Sequence, residues 1–594
     1  MSFYYPKDSM GHRLAFRTLD KFVYDDNGVD LSTKLAMLEE AFANVNIPTE
    51  VANRIYYDHA EGKLYLYAGD KLISQTVLRA ESGGTTHHPA DVYNVNFRVK
   101  DSELVVRWAD PNDTVFEGST LATWKGTKVV YKEGEYPSDP DDGVLVIDNT
   151  ERNRYAEDGI SITGLTNNTT YYFRFFPYSP SGDVNMNDRN YYTATPSNTI
   201  IYGFKIQTNN SDPNVSVTYI EGAAGKRAAG MNYMDNTFSW GDWDKDEFFM
   251  PRPCMLRYDG IVDYYLDPDD YTKRIDGTPS EITDPYYQGN AMMEWGRNGD
   301  KIWYKVVEGT SNDVSVYISN QKVDNNYVAW SFIDCNNEPK DHFYTPIYNG
   351  YLIDGRLRSL SNKTPLTYKT VNDEITYAVA NNNIGSNIGA HWYTELFADR
   401  LLINLLLILM GKSLDTQTVY GHGYTRDKSP LVSGTMNKKG LFYGEATGET
   451  GVKVFGMENW WGNVRRRIAG LICSSGTYKY KLTYGRMDGT GNDGFSVNGT
   501  GYLTGPQFSA TGYISNITPY SNGSYFPSSI NGSSSTYFCD YAKYSTGTNY
   551  VACGGPCEDE GLYDYDFQSG AFAYSLNLQA NKVDYITGSA LSYR

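Results

Sequence analysis

Residues 501–594 form the stretch that most constrains what this 594-residue chain can fold into. The stretch is rich in Tyr, Ser, Asn and Gly, a composition typical of antibody binding loops, where Tyr gives a stiff contact surface at low entropic cost. Strand-like runs at 550–552, 571–576 and 589–593 separate these polar segments. The stretch therefore predicts a small β framework that carries aromatic loops. The alternative is a Tyr-rich β domain without a special ligand.

Four segments of this stretch resemble the C-terminus of bacteriophage receptor-binding proteins that are diversified by retroelements. They are SSSTYFCDY at 533–541, VACGGPCEDEG at 551–561, SGAFAYSLN at 569–577 and GSALSYR at 588–594. In that family a C-type-lectin fold displays variable residues on a fixed scaffold. The resemblance covers roughly residues 204–594. It implies a C-terminal α+β domain of this lectin-like type that binds a bacterial surface protein or glycan.

A second motif, VFGMENWWGNVRRRIAGL at 454–471, resembles an element shared by lectin-like phage proteins and formylglycine-generating enzymes. Gly462, Asn463 and Val464 match that element, whereas three arginines at 465–467 replace its usual Trp-Glu-Trp. We expect these arginines to pair with acidic loops in a structural role. We expect no calcium site, no catalytic site and no cofactor.

The resemblance also places the variable positions of the family on one exposed surface. Carried over residue by residue, these ligand-binding positions are Tyr541, Ala542, Tyr544, Tyr550, Cys553, Pro556, Cys557, Glu558, Asp559, Tyr563, Asp564, Tyr565, Asp566 and Ala573. The scaffold positions are Gly554, Gly555, Gly570, Ala571, Phe572, Gly588 and Leu591. Because the surface would combine tyrosines with carboxylates, it favours a neutral or basic target. The alternative is that its tyrosines pack against a neighbouring subunit.

The charge of the chain narrows the range of partners. The formal net charge is −19, and Lys and Arg form no basic stripe, so nucleic-acid binding is not expected.

The opening MSFYYPKDSMGHR lacks the apolar region of a signal peptide. The apolar run at 401–410 is too short to cross a bilayer. We therefore expect synthesis in the host cytoplasm, a place in the virion and no membrane insertion.

The cysteines are sparse and most lie in apolar or strand-like runs, which predicts reduced and buried thiols. They are Cys254, Cys335, Cys473, Cys539, Cys553 and Cys557. Cys553 and Cys557 are spaced C-x3-C, without the further ligands that a zinc site needs. We therefore predict no metal and no disulfide at this pair.

An acidic segment at 267–276 and a histidine pair at 87–88 are the other metal candidates. Asp267, Asp269, Asp270 and Asp276 lack the spacing of an EF-hand loop, so a solvated turn is favoured over calcium. The two histidines lie in a linker-like sequence, ESGGTTHHP, without a further ligand at suitable spacing. Neither segment predicts a metal site.

No motif in the sequence predicts an enzyme. Neither G-x-S-x-G nor H-E-x-x-H occurs. The carboxylates at 558–560 are adjacent in the sequence rather than opposed across a cleft, as a glycosidase requires. The segment at 588–592, which aligns with a cysteine element of the formylglycine-generating enzymes, contains no Cys. Three alternatives remain open: a glycan depolymerase, a formylglycine-type oxidase and a purely structural virion fibre.

Residues 1–91 are predicted to anchor the chain to other virion proteins and to mediate oligomerisation. Apolar residues recur in a heptad pattern at Leu31, Leu35, Leu38, Phe42 and Val45. The pattern predicts a helix that assembles a homotrimer, with a helix packed on its own domain as the alternative. Residues 55–73 are predicted to form a β-hairpin.

Residues 92–204 are predicted to form an immunoglobulin-like β-sandwich that serves as a spacer. Alternating strands are expected at 94–100, 104–108, 127–132, 161–163 and 170–176. The segment LTNNTTY at 165–171 resembles the tyrosine corner of fibronectin type III domains. We expect Trp108 and Tyr171 to pack across this sandwich.

Residues 205–594 are predicted to form the lectin-like domain of a multidomain, mainly β protein. Its strongest helix is expected at 392–410, with Thr394 as a possible N-cap and Gly411 as the residue that ends it. The apolar residues surround this helix on nearly all sides, which indicates burial beneath a sheet. A second core element is expected at 458–471.

Overall fold

The computed structural model of the chain is mainly β, with 38% of the residues in strands and 9% in helices. The strands form several sheets. The heptad pattern at 31–45 lies outside the described residues, and the helix expected there stays a prediction. The described residues are 53–58, 63–68, 71–77, 88–116, 119–156, 158–310, 312–334, 336–383, 391–426, 429–483, 502–557 and 569–594.

The first described strands form an antiparallel meander. β1 (Asn53–Asp58) pairs with β2 (Lys63–Ala68), which pairs in turn with β3 (Lys71–Val77). The hairpin predicted at 55–73 is therefore present as β1 and β2, and a third strand extends it. Residues 59–62, which join β1 to β2, lie outside the described residues.

Residues 88–199 form a two-sheet sandwich with a buried core of its own. The sheet order β10-β5-β4 gives one layer and β12-β11-β8-β9 the other, while β6 and β7 form a separate hairpin. All five strands predicted here are present, and their ends differ from the predictions by at most two residues. The strands are β4 (Tyr93–Lys100), β5 (Glu103–Ala109), β6 (Thr114–Phe116), β7 (Ser119–Ala122), β8 (Gly126–Glu133), β9 (Val144–Asn149), β10 (Ile160–Thr163), β11 (Tyr171–Tyr178) and β12 (Tyr191–Ala194).

Aromatic contacts join the two layers of the sandwich. The ring centroids of Trp108 on β5 and Phe175 on β11 lie 5.4 Å apart. Tyr171 belongs to the same buried cluster as Trp108, as expected. The hydroxyl of Tyr171 accepts a hydrogen bond from the backbone N–H of Thr166 at 2.9 Å, which fixes the turn that leads into β11. This bond is the one that defines a tyrosine corner.

A single buried carboxylate, Asp110, ties the strands together at one end of the sandwich. Its Oδ1 accepts hydrogen bonds from the indole of Trp108 at 2.9 Å and the hydroxyl of Thr127 at 2.7 Å. Its Oδ2 accepts from the side chain of Asn149 at 3.0 Å and the backbone N–H of Asn153 at 2.9 Å. Four donors therefore replace the water that the carboxylate loses on burial.

Residues 200–368 supply the strands of a second, larger region. A four-stranded sheet has the order β14-β13-β21-β20, and β17, β18, β19 and β22 begin a six-stranded sheet. The strands are β13 (Ile201–Gln207), β14 (Val217–Glu221), β15 (Gly230–Asn232), β16 (Thr237–Ser239), β17 (Arg252–Arg257), β18 (Val262–Tyr265), β19 (Gly289–Trp295), β20 (Trp303–Glu308), β21 (Asp313–Ser319), β22 (Phe343–Pro346), β23 (Tyr351–Ile353) and β24 (Arg356–Arg358).

The remaining residues complete the six-stranded sheet and build an eight-stranded one. The six-stranded order is β18-β17-β19-β22-β38-β25, and the eight-stranded order is β30-β29-β28-β35-β36-β34-β31 with β37 paired to β28. The elements are α1 (Val371–Val379), β25 (Trp392–Thr394), α2 (Phe397–Gly411), α3 (Thr416–Tyr420), β26 (Lys453–Val454), β27 (Met457–Glu458), β28 (Arg465–Ser474), β29 (Thr477–Tyr480), β30 (Leu503–Gln507), β31 (Gly512–Tyr513), β32 (Asn516–Pro519), β33 (Tyr525–Ser529), β34 (Tyr541–Tyr544), β35 (Thr548–Cys553), β36 (Tyr574–Leu576), β37 (Thr587–Gly588) and β38 (Leu591–Tyr593).

Helix α2 is the core element of this region, and all of its residues are buried. It begins at Phe397 rather than at 392, because Trp392–Thr394 forms β25 and pairs with the C-terminal strand β38. Thr394 is therefore a strand residue, and the prediction that it caps the helix is wrong. Gly411 is still helical, and Lys412, with φ 51°, takes the left-handed conformation that ends the helix. Its backbone N–H donates to the carbonyl of Ile408 at 2.8 Å.

The second core element predicted at 458–471 is a strand. β28 begins at Arg465, and its residues through Cys473 are buried between neighbouring strands. Among the described residues, no helix combines the length and the apolar composition needed to cross a bilayer.

Candidate functional site

Two half-exposed tyrosines face each other at the edge of the eight-stranded sheet. Tyr513 on β31 and Tyr541 on β34 are register partners, and their rings meet edge to face with centroids 5.0 Å apart. Side chains alternate along a strand, so Lys543 lies on the same face of β34 as Tyr541. Ala542 points the opposite way and is fully buried. We call Tyr513 and Tyr541 the tyrosine pair.

Tyr544 shares the face of Ala542, and its half-buried ring packs against the main core. Its backbone is held by Thr511, whose hydroxyl accepts the Tyr544 N–H at 3.0 Å. Of the predicted binding positions that the structure describes, Tyr541 and Tyr544 therefore keep exposed surface. Of these two, Tyr541 lies on the face that is turned away from the core.

The structure places the other described binding positions in the interior, in contrast to the expectation of one exposed surface. β35 lies between β28 and β36, so its side chains meet neighbours on both sides. The buried positions are Ala542, Tyr550, Cys553, Pro556, Cys557 and Ala573. The positions outside the described residues, for which binding stays a prediction, are Glu558, Asp559, Tyr563, Asp564, Tyr565 and Asp566.

The positions assigned to the scaffold are all buried: Gly554, Gly555, Gly570, Ala571, Phe572, Gly588 and Leu591. Gly554 has φ 92°, and a Cβ atom there would come within 2.8 Å of the carbonyl oxygen of Trp460. A larger residue would therefore strain the backbone and push the end of β35 away from the chain at Trp460. The carboxylate of Asp540 accepts the backbone N–H of Phe572 at 2.7 Å and so ties the segment before β34 to the segment before β36.

The arginine run on β28 holds the segment 577–584 in place. Arg467 donates to the carbonyl of Lys582 at 2.6 Å, and Arg465 pairs with Asp584 at 3.2 Å. Arg467 also pairs with Glu374 of α1 at 2.5 Å. The arginines thus pair with acidic side chains in a structural role, as the sequence predicts. These acidic side chains come from a helix as well as from loops.

Arg466 is directed to the opposite side of β28, into the core. It pairs with Glu395 at 3.0 Å, and Glu395 also pairs with Arg400 of α2 at 2.6 Å. Burial lowers the pKa of Arg466 to about 10, although Glu395 opposes the shift. The guanidinium of Arg400 lies 3.7 Å from the ring centroid of Trp460. The charged cluster therefore links α2 to β28.

A cavity of 510 Å³ opens beside Lys543, between the end of β34 and the segment 577–583. Its lining combines three amides, one hydroxyl, three cationic side chains and two apolar ones, and no carboxylate is among the lining residues in the described part of the chain. The lining residues are Arg465, Lys543, Ser545, Asn577, Leu578, Gln579, Asn581, Lys582 and Val583. A concave site with convergent polar groups is a typical place for a ligand.

The thiol of Cys553, near this surface, is held in its unreactive protonated form. All five cysteines in the described part of the chain are buried, as predicted, and Cys335 lies outside it. Burial raises the pKa of the Cys553 thiol to about 12, so the thiol is protonated at neutral pH. Since the thiolate is the nucleophile and the metal ligand, a protonated buried thiol is inert in both roles.

The acidic segment at 267–276 has the geometry of solvated turns. Oδ1 of Asp267 accepts the backbone N–H of Asp269 at 2.9 Å, and Oδ1 of Asp276 accepts that of Thr278 at 2.9 Å. Within the described ranges, no group of three or more His, Cys, Asp and Glu side chains is arranged to hold a metal ion.

The candidate site consists of the tyrosine pair, the cavity and the segment 577–584, which the arginines hold in place. Each of these parts is contributed by the eight-stranded sheet or by the chain that directly follows β36. Comparison with known proteins adds no relative: no protein-family model matches the chain, and no curated protein matches it.

Proposed function

We propose that this chain is a bacteriophage receptor-binding protein that attaches the virion to a bacterial surface protein or glycan. The observation that carries the proposal is the half-exposed tyrosine pair at the edge of the eight-stranded sheet, on a strand that also contributes Lys543 to the cavity. Exposed aromatic rings on a fixed framework make strong anchors, because they lose little conformational entropy on binding. The buried scaffold positions beneath them supply the framework.

In this proposal residues 205–594 form the lectin-like receptor-binding domain. The buried glycines at the scaffold positions and the half-exposed Tyr541 support the assignment. Residues 92–204 act as a fibronectin type III-like spacer. The sandwich of three and four strands and the hydrogen bond between Thr166 and Tyr171 support that role.

Residues 1–91 dock the chain on the virion and assemble it as a homotrimer. The heptad pattern at 31–45 supports this part of the proposal. Light scattering of the intact chain is expected to give three times the monomer mass of 66.8 kDa. A monomer at micromolar concentration would contradict trimerisation in solution.

The proposal includes diversification by a retroelement. The phage genome is then expected to carry a near-copy of the final hundred or so codons, close to a reverse-transcriptase gene. The two copies should differ mainly where the template has adenine. A genome that lacks both features would remove diversification from the proposal and leave receptor binding in place.

Adsorption to host cells tests the tyrosine pair. The fluorescently labelled chain is compared with the variant Tyr513→Ala/Tyr541→Ala. An aromatic anchor costs about 2 kcal/mol or more on truncation, so binding should weaken at least about 30-fold.

Two controls accompany this experiment. Tyr286→Ala removes a tyrosine that is 81% exposed and lies outside the candidate site, so adsorption should be unchanged. Near-ultraviolet circular dichroism checks that each variant is folded. If the folded double variant adsorbs like the parent, the receptor does not bind at the tyrosine pair.

A further inference from the structure

Tyr368 combines a strained backbone with an exposed side chain. Its φ is 57°, in the left-handed region that Gly and Asn adopt easily and that a bulky residue avoids. Two other aromatic residues of the described chain have a positive φ, but Phe455 is fully buried, and the half-buried Tyr537 packs against the main core. Tyr368 is 61% exposed. Burial therefore does not explain why this position carries an aromatic ring.

The backbone around Tyr368 is fixed by contacts that do not involve its ring. The N–H of Tyr368 donates to the carbonyl of Asp584 at 2.9 Å. Arg467 donates to the carbonyl of Lys369 at 3.0 Å and to that of Lys582 at 2.6 Å. These contacts hold the strained conformation, and they place Tyr368 directly beside the segment 577–584 of the candidate site.

The side chain of Tyr368 has no structural partner among the described residues, where it makes no hydrogen bond, ring contact or cation–π contact. Single exposed aromatic residues are common on protein surfaces, but a strained one is not. Strained residues cluster at functional sites, because the surrounding structure holds them in place there. Since a Gly or an Asn would suit this backbone better, the ring is what the position contributes.

The surface near the ring is apolar, with cations on either side. Val583, which precedes the bonded Asp584, is 44% exposed, whereas the carboxylate of Asp584 is buried and already paired. Lys369 and Lys582 form no ion pair with any described residue. An aliphatic side chain offers no hydrogen bonds to sugar hydroxyls, but it can bury the apolar side chains of a protein. The two lysines suit carboxylates at the edge of that protein contact.

We infer that Tyr368 contacts a protein receptor on the bacterial surface, and that the receptor-binding surface extends from the segment 577–584 to this ring. The inference deepens the proposed function and rests on it, because it names the receptor as a protein and adds a contact residue outside the stretch 501–594. A ring on a backbone that is already fixed loses little conformational entropy when the receptor covers it.

Two measurements on the variant Tyr368→Asn test the role of the ring. Asn tolerates the left-handed conformation, so the urea midpoint of the larger region should rise. Adsorption of the fluorescently labelled chain to host cells should weaken at least about tenfold, because the ring is lost. Tyr368→Phe keeps the ring and should adsorb within about threefold of the parent.

Tyr286→Asn is the matched control. Tyr286 is 81% exposed, but its φ is not positive and it lies outside the candidate site. Neither the midpoint nor the adsorption of this variant should change. The class of receptor is tested on the cells themselves: proteinase K treatment should abolish adsorption of the parent chain, and periodate oxidation of the surface glycans should leave it unchanged.

Three results would overturn the inference. The first is adsorption of the folded Tyr368→Asn variant equal to that of the parent, and the second is a lower urea midpoint, which would assign the ring a structural role. The third is adsorption that survives proteinase K but is lost after periodate, which would assign the receptor to a glycan.

The parent chain separates this inference from the proposed function. If the parent adsorbs and Tyr368→Asn adsorbs equally, the contact at Tyr368 is wrong and the receptor-binding function stands. A parent that does not adsorb contradicts the function itself and the inference with it.

Discussion

The β-sandwich at 88–199 and the region at 200–594 are both built mainly from strands around apolar cores, but they bury charged groups in different ways. In the sandwich, aromatic and aliphatic side chains fill the core, and the carboxylate of Asp110 is satisfied by neutral donors. In the larger region, buried arginines meet buried carboxylates around α2 and β28. One chain therefore satisfies its buried charge with neutral donors in the sandwich and with opposite charges in the larger region.

In a buried ion pair, each charged side chain depends on its partner for compensation of its charge. The side chains of Glu395, Arg400 and Arg466 are at most 1% exposed. Taking such groups out of water is costly, so removal of one partner leaves an uncompensated charge in the core. Hydrophobic contacts in the sandwich carry no such penalty. The two regions should therefore respond differently to single substitutions.

The largest expected effect is that of Glu395→Gln. This change leaves Arg400 and Arg466 without their shared carboxylate, and it should lower the free energy of unfolding by about 3–5 kcal/mol. Urea denaturation followed by tryptophan fluorescence measures the loss in the transition of the larger region. The sandwich transition serves as an internal control and should not move. A loss below about 1 kcal/mol would show that the cluster does not hold the core together.

In the sandwich, Asp110→Ala should lower the free energy of unfolding by about 3 kcal/mol, because it leaves three buried donors and the part-buried N–H of Asn153 without an acceptor. The same denaturation experiment should show the loss in the sandwich transition alone. Asp110→Asn keeps an oxygen acceptor, so it should lose less. Equal losses for the two variants would mean that charge, rather than the number of satisfied donors, governs this site.

The pH dependence of stability separates the two regions further. Burial raises the pKa of Glu374 to about 7 from its ordinary value of 4.5, although Arg467 favours the charged form. The folded chain then binds this proton more tightly than the unfolded chain. The stabilising contribution is therefore full below about pH 4.5 and is lost as the pH rises through about 7.

We expect the free energy of unfolding of the larger region to fall by about 2–3 kcal/mol from this group between about pH 4.5 and pH 8. Glu374→Gln should remove that part of the slope, as measured by urea denaturation at several pH values. Parallel curves for parent and variant would show that Glu374 has the same pKa in both states.

The smallest expected effect concerns the contact between the two regions. Arg98 of β4 pairs with Asp244 at 2.6 Å, and both side chains are partly exposed. Arg98→Met should therefore cost about 1 kcal/mol and let the two regions unfold more independently in denaturation. Arg154→Met, which changes an exposed arginine on the sandwich, is the control. If both variants unfold alike, this ion pair does not couple the regions.

Local sequence patterns predict the sandwich well because its signals are local. Alternating side chains mark the strands there, and the segment at 165–171 marks the turn that Tyr171 fixes. In the larger region, long-range pairing overrides local preference. Trp392 continues a helical pattern, yet its strand is fixed by Tyr593, with which it is in register. No window of the sequence contains both residues.

The sequence predicts the candidate site only in part, because long-range strand pairing also decides which of its residues are buried. Tyr541 was identified through the resemblance, whereas the burial of Tyr550 and Cys553 depends on strands far away in the sequence. The cavity was missed because its lining comes from Arg465, from 543–545 and from 577–583. A local signal did exist: the run NLQANK at 577–582 places three amides and a lysine within six residues.

Competition with virions tests the central claim most directly. Host cells are incubated with an excess of the purified chain before virions are added, and the rate of virion adsorption is measured. The account predicts that the parent chain slows adsorption in a dose-dependent way, while the folded variant Tyr513→Ala/Tyr541→Ala does not. Unchanged adsorption in the presence of a saturating excess of the folded parent chain would contradict the claim that this protein binds the receptor.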